Sequence, residues 1–232
     1  MSTTTDRAPS GIPGLDELIG GGFPRGRVIL LLGEPGAGKT IFASQFLVSG
    51  AKKGNERGLF VCLEEARVHL YREMRLFGWD FARLENQGII SFVDATPLRL
   101  LPEKVKVGDV AIDRKDFSML SLTQAISREV SRLKPSRITV DSITSLMLQY
   151  PDMVQRRAAI FDLVGALVTT GATCLVTSEL KSVGLRRNLE MEEFLAHGVI
   201  VLQSLRVGGS FTRMLQIEKM RETACEDRKS VV

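Results

Sequence analysis

The stretch RVILLLGEPGAGKT, residues 27–40, constrains the fold more than any other part of the chain. Its first half is an apolar run without polar alternation, which reads as a buried strand. Its second half is glycine-rich and opens onto TIFASQFLVSGAKKG (40–54), a helical pattern that ends in glycine. Strand, glycine turn and helix in direct succession are the start of a βαβ unit, and the rest of the chain repeats the theme. GLFVCLEE (58–65), IISFVDA (89–95), RITVDS (137–142), TCLVTSE (173–179) and GVIVLQSLR (198–206) read as further strands. Helices are predicted up to about Gly78, with Leu70, Met74 and Phe77 on one apolar face, from Phe117 to about Lys134, and from near Pro151 to near Gly171. VGGS (207–210) reads as a turn into FTRMLQIEKMR (211–221), an antiparallel partner for the last strand. The predicted class is α/β: a mostly parallel central sheet flanked by helices, with a C-terminal antiparallel hairpin.

A length of 232 residues suits one domain, and 44% hydrophobic with 25% charged residues is enough apolar material for a substantial core. Residues 1–10 and 223–232 are expected to be flexible tails, and 96–117, with prolines, glycine and mixed charge, an irregular exposed insertion. The N-terminus lacks an apolar signal region, and no apolar run approaches the roughly 20 residues of a membrane helix, so a cytoplasmic protein without membrane insertion is expected. Cys62 and Cys174 sit in strand-like runs and read as reduced core thiols; no cysteine pair has metal-ligand spacing. The net charge of +4 comes from bases interleaved with acids, a mixed solvated surface.

GEPGAGKT (33–40) matches G-x-x-x-x-G-K-[ST]. In such a loop, glycines let backbone N–H groups turn inward around phosphate oxygens, and the following helix points its positive end at them. Lys39 would reach the β- and γ-phosphates and Thr40 would place its hydroxyl on Mg2+. Asp141, at the end of RITVDS, is the candidate second Mg2+ group; such an aspartate can also cap a helix or serve a turn. Glu64 and Glu65 end the strand that follows the loop helix. If that strand persists they point to opposite faces, and their mutual repulsion suits one of them to act as a base. A solvated strand end is the alternative.

Together these residues resemble the KaiC-type ATPases of the RecA superfamily over nearly the whole chain. SGIPGLDELIGGGFPRGRVILLLGEPGAGKT resembles that family's entry segment and Walker A. FVCLEE resembles its paired catalytic glutamates, RLFGWDFARLENQGIISFVDA the segment that follows, RITVDSITSL its Walker B, and EEFLAHGVIVL a late core element. The resemblance implies a RecA-like P-loop core, Mg2+-dependent ATP hydrolysis, and a homohexameric ring with nucleotide between subunits. It implies that Gly33, Pro35, Gly36, Ala37, Gly38, Lys39, Thr40 and Ile41 hold the nucleotide on one subunit. Lys219, Met220, Arg221 and Thr223 would approach it from the next. From sequence alone, Lys219 and Arg221 also read as a solvated strand face.

The chain departs from the family after KMR: Glu222 stands for the usual glycine and Cys225 for the usual histidine. It ends at Val232, so the terminal strands that usually follow are expected to be missing. One ATPase domain is present where the clock proteins have two, and nothing supports transferring clock or autokinase activity. Three readings follow: an ATP-driven switch for a protein partner, a RadA-like DNA-binding recombination accessory, or a nucleotide-bound structural ring that barely hydrolyses. The segment LKSVGLRRNLEMEE (180–193) discriminates. Lys181, Arg186 and Arg187 suit phosphates, but Glu190, Glu192 and Glu193 follow at once and no aromatic precedes Phe194 for stacking bases, so nucleic acid is the less favoured partner.

Overall fold

The computed structural model describes residues 6–180, 195–207, 210–223 and 229–231. Strand β1 (Arg7–Ala8) pairs with β2 (Phe23–Pro24), and helix α1 (Leu15–Leu18) lies between them. The main sheet holds β3 (Val28–Gly33), β4 (Gly58–Cys62), β5 (Ile90–Asp94), β8 (Arg137–Asp141), β9 (Thr173–Glu179), β10 (Gly198–Val207), β11 (Ser210–Met220) and β12 (Lys229–Val231). Their order is β12-β11-β10-β3-β9-β8-β4-β5. From β10 to β5 all neighbours are parallel, while β10–β11 and β11–β12 are antiparallel.

The expected α/β class is therefore present, and its physical basis is visible in β3. All six of its residues are buried. Val28, Leu30 and Leu32 face one core with helices α5 (Arg114–Leu133), α6 (Thr144–Met147) and α7 (Met153–Thr169). Ile29 and Leu31 face the other, with α2 (Lys39–Gly54), α3 (Arg67–Leu76) and α4 (Phe81–Asn86). A strand that serves two cores cannot alternate with polar residues. On the second face Phe23 meets Phe46 edge-on at 5.5 Å between ring centroids, and Phe60 stacks on Phe92 at 5.7 Å.

Several expectations need correction. Residues 96–117 are not an irregular insertion: a 3-10 turn (Thr96–Leu100) leads into a hairpin of β6 (Lys104–Val107) and β7 (Val110–Asp113), and α5 starts at Arg114 rather than Phe117. The N-terminal tail is ordered before residue 10, because β1 is paired and Ala8 and Ser10 are fully buried. Within the C-terminal segment expected to be a flexible tail, Lys229–Val231 forms β12, paired to Met214–Gln216 of β11. Phe77 does not join the buried face of α3; it is half exposed and stacks on Trp79 at 5.2 Å. The helix α4 was not predicted; Asp80 caps it by accepting from the Arg83 N–H at 3.0 Å. Cys62 and Cys174 are buried free thiols, as expected. Lys181, Arg186, Arg187, Glu190, Glu192, Glu193, Phe194 and Cys225 lie outside the described residues, as do the turn glycines 208 and 209. Among the described residues no helix is long and apolar enough to cross a membrane.

Candidate functional site around the phosphate loop

The loop joins the C-terminal end of β3 to α2. Gly36 and Gly38 adopt φ of +78° and +98°, which only glycine takes without strain, and nothing crowds their open sides. These two reversals turn the chain around the N-terminus of α2. Gly38 caps that helix with no side-chain hydrogen bond, so its first N–H groups stay directed at the loop. Pro35 and Gly36 form the exposed tip, Ala37 is buried, and Ile41 is half-buried on the first turn of α2. Lys39 Nζ donates to the carbonyls of Gly33 at 2.9 Å and Glu34 at 3.0 Å, which sets the ammonium across the mouth of the loop.

One residue on, Thr40 Oγ1 donates to Asp141 Oδ2 at 2.8 Å. Asp141 ends β8, two strands from β3, and is 6% exposed. Its other oxygen accepts from the Thr177 hydroxyl of β9. Among the described residues Asp141 makes no ion pair within 4 Å. Burial pushes its carboxyl up from the ordinary value, against the pull of the Thr177 and Thr40 hydroxyls and the Lys39 charge. A buried carboxylate facing hydroxyls and no close cation suits a hard cation with oxygen ligands. No cluster of three His, Cys, Asp or Glu exists among the described residues, so a metal held here needs ligands from phosphate and water as well. Thr40 and Asp141 are the residues that fit Mg2+.

The strand β4 ends at Cys62, sooner than expected, so Glu64 and Glu65 are not placed on opposite faces by a continuing strand. The Leu63 N–H donates to the Asp141 carbonyl at 2.8 Å, and the Cys62 thiol donates to the Glu65 carbonyl at 2.8 Å. These contacts bend the chain so that Glu64 enters the field of the site. Crowding by protein raises its carboxyl above the ordinary value, the charges of Asp141 and Glu179 add to the rise, and Ser142 and Lys39 oppose it. Solvent still reaches the Glu64 side chain, which moderates the rise. Glu65 is raised as well, by burial and then by Glu73 on α3, with Asp141 a smaller contributor. Both carboxyls feel Asp141, but of the pair it is Glu64 that is also coupled to Lys39, Ser142 and Glu179.

The sequence did not single out a shelf of hydroxyls beside Asp141. Ser142 Oγ donates to Thr144 Oγ1 at 3.0 Å, and Thr144 Oγ1 lies 3.3 Å from Ser178 Oγ and accepts from the Glu179 N–H at 2.8 Å. The Asp141–Ser142 peptide is cis. Glu179 pairs in register with Gly33, so its carboxylate stands level with the start of the loop. The available signal was the run Thr177-Ser178-Glu179 closing an otherwise apolar strand.

Lys219, Met220, Arg221 and Thr223 are not brought to this loop. Lys219 pairs with Val199, which pairs with Leu30 in the middle of β3, three residues before Gly33. At about 3.3 Å per residue and about 4.8 Å between strands, its backbone lies roughly 14 Å from Gly33. The Met220 side chain is buried against Gly198 in the core, leaving its backbone as the part that can meet a ligand. Arg221 is exposed, its N–H bonded to the His197 carbonyl at 2.9 Å, and Thr223 is half-buried.

The KaiC ATPase family matches residues 8–232. The circadian clock protein KaiC3 of Synechocystis sp. is 37% identical over 219 residues, covering 94% of this chain and 42% of that protein. A UPF0273 protein of Pyrococcus horikoshii is 35% identical over 226 residues, covering 97% of this chain and 89% of its own length. A crystal structure of a KaiC-like protein from the hyperthermophilic archaeon Pyrococcus horikoshii OT3 matches with a TM-score of 0.81 at 37% identity, covering 98% of this chain and 94% of that one. The chain spans about two fifths of the length of the clock proteins it matches. With its loop, lysine, threonine and strand-end aspartate assembled as described, the chain belongs to the KaiC family of P-loop ATPases.

Proposed function

We propose that this protein binds and hydrolyses ATP with Mg2+, in a homohexameric ring whose nucleotides lie between subunits, and that it acts as a switch for a protein partner. The observation that carries the reading is the convergence of the α2 N-terminus, the Lys39 ammonium and the Thr40–Asp141 pair on one loop. In this reading Gly33, Pro35, Gly36, Ala37 and Gly38 wrap the phosphates with backbone N–H groups, and Lys39 leaves its two carbonyl partners for the β- and γ-oxygens. Thr40 and Asp141 hold Mg2+. What a bound Mg2+ supplies is neutralisation of charge across the β- and γ-phosphates. Ile41 faces a hollow of about 280 Å³ beside the loop, walled by Ile12, Phe42, Leu202 and Met214, with Gln45 and Arg213 at its polar edge. A nucleobase fits that mixture of flat apolar wall and few polar groups.

Glu64, assisted by Glu65, takes the proton of the attacking water. The water oxygen bonds to the γ-phosphorus as the bond to the β–γ bridging oxygen breaks, and ADP leaves with that oxygen. The distance of Lys219 and Arg221 from their own loop supports their use on a neighbour's nucleotide, where a cation stabilises charge on the γ-phosphoryl oxygens. Head-to-tail contacts of this kind close into a ring. The DNA-binding alternative is not favoured: the bases Lys181, Arg186 and Arg187 are followed at once by Glu190, Glu192 and Glu193.

The deciding experiment is the hydrolysis rate per subunit as protein concentration is varied, with Mg2+ present and assembly followed by sedimentation. A rate that climbs with assembly and then saturates is expected. A constant rate through a range where the protein dissociates to monomers defeats the shared site, and turnover that survives Glu64→Gln, Glu65→Gln and the double change defeats the assignment of the base.

A further inference from the structure

At the pole opposite the phosphate loop, the N-terminal segment is tied to the turn that follows β11. The Arg7 guanidinium reaches four acceptors. Nη1 donates to the carbonyls of Ile19 at 3.3 Å and Gly22 at 3.2 Å and to Thr223 Oγ1 at 2.6 Å, and Nη2 donates to the Glu222 carbonyl. Two acceptors belong to the loop between β1 and β2, and two belong to a segment more than 200 positions away. The Glu222 carboxylate pairs with the Arg27 guanidinium at the mouth of β3. Glu222 itself sits at φ +61°, a left-handed conformation that a glutamate adopts only when its surroundings hold it there. Between these clamps and the sheet hangs Arg221, its backbone bonded to His197 and its side chain exposed.

We propose that Arg7, with Arg27 as its second anchor, is a positioning residue that fixes the turn at Glu222–Thr223 and so aims Arg221 at the neighbouring subunit's nucleotide. The inference rests on the trans reading of Lys219 and Arg221. Its physical logic is geometric. A guanidinium has donors in a rigid planar fork, so one side chain can lock two backbone segments in a single relative position. A long cation can act across a subunit boundary only if its Cα is held, because freezing a loose turn at the moment of reaction costs conformational entropy. The chain spends a glutamate in a strained conformation at that turn, and the Arg7 and Arg27 contacts hold it there.

The test is a double-mutant cycle on the assembled full-length protein with Mg2+ and ATP, reading kcat, KM and ring mass for Arg7→Ala, Arg7→Lys, Arg221→Ala and the Arg7→Ala/Arg221→Ala double change. Arg7→Ala is expected to lower kcat on the order of 10-fold, with KM and mass unchanged. Arg7→Lys keeps the charge but not the fork and recovers only part of the rate. The double variant is expected to be no slower than Arg221→Ala alone, because both changes remove one interaction. Losses that simply multiply, or an unchanged kcat in Arg7→Ala while Arg221→Ala is impaired, overturn the latch and leave the trans site standing. A wild-type rate in Arg221→Ala overturns the trans site and the latch with it. Should Arg7→Ala fail to fold, Arg27→Ala, which touches only a partly exposed ion pair, takes its place in the same cycle. The expected loss is then on the order of 2- to 3-fold, and an unchanged or multiplicative result counts against the latch in the same way.

Discussion

Strand β8 carries a buried charge at each end, and the fold treats the two in opposite ways. Arg137 opens the strand at 2% exposure and Asp141 closes it at 6%. Arg137 has several partners: its Nε meets Glu56, its Nη1 donates to the carbonyls of Pro9 at 2.7 Å and Phe46 at 2.8 Å, and its Cζ lies 4.6 Å from the Phe46 ring centre. Glu56 is shared with Arg25 at 2.7 Å. Room for the guanidinium is made by Gly50, where an added Cβ would fall 2.3 Å from Arg137 Nε. Among the described residues Asp141 meets two hydroxyls and no cation within 4 Å. Removing a charge from water is costly unless partners replace the water. Arg137 has those partners inside the chain, so it is structural. Asp141 has only some of them, which suits it to the cation that the proposed function assigns to it.

Breaking the first member should cost most. Arg137→Ala leaves Glu56 half-paired and removes one donor from each of the carbonyls of Pro9 and Phe46, and is expected to destabilise the fold by about 3–5 kcal/mol. Urea unfolding measures this. The hydrolysis rate per folded molecule in the cold should be unchanged; a lost rate with an unchanged unfolding midpoint would erase the distinction between the two ends. Asp141→Asn should do the reverse, lowering kcat on the order of 100-fold or more, with an unfolding midpoint no lower than that of the parent.

The two ends also differ in how legible they were. The Asp141 end could be read because its signals are local: a glycine-rich turn between a strand and a helix, and an acid closing a strand of β-branched residues. The Arg137 end could not. In the sequence Arg137 is merely the polar first letter of a strand, and its partners Glu56 and Pro9 stand 81 and 128 positions away. The same holds for Arg7, two of whose four acceptors are 215 and 216 positions distant. The hairpin β6–β7 was missed for a different reason. Its strands are four residues long, and most of their residues are exposed, so they bury too little to show a clear apolar face. The bend after Cys62 was missed because it depends on contacts from the neighbouring strand to Leu63 and from the Cys62 thiol to Glu65.

Acid sharpens the comparison with a smaller effect. Burial alone would raise Glu56, but Arg137 and Arg25 together hold it below its ordinary 4.5. Burial also pulls the Arg137 guanidinium down, yet an arginine stays charged at any accessible pH, so the carboxylate carries the pH dependence. A carboxylate with a depressed folded value contributes stability that is present above 4.5 and is lost as pH falls from there through the folded value. Glu56→Gln should therefore flatten the acid limb of the stability curve below about pH 4.5 and leave hydrolysis at neutral pH intact. An unchanged acid limb would mean that the Arg137–Glu56–Arg25 network is not what acid dissolves.

The smallest expected effect has the opposite sign and belongs to Asp141. Its folded carboxyl lies above the ordinary 3.8, so ionisation works against the fold. Stability is full below 3.8 and declines as pH rises through the folded value. Asp141→Asn keeps the shape and can still meet both threonine hydroxyls, which donate or accept by rotation. In chelator, without nucleotide, that variant should match the parent near pH 3.8 and gain on the order of 0.5–2 kcal/mol at neutral pH. Adding Mg2+ and ATP should reverse the order, because ligand binding stabilises only the parent with its carboxylate in place. Paired melting curves at two pH values, with and without Mg2+ and ATP, measure all four states. A gain that is the same at both pH values would assign it to packing, and Asp141 would then be as structural as the arginine at the other end of its strand.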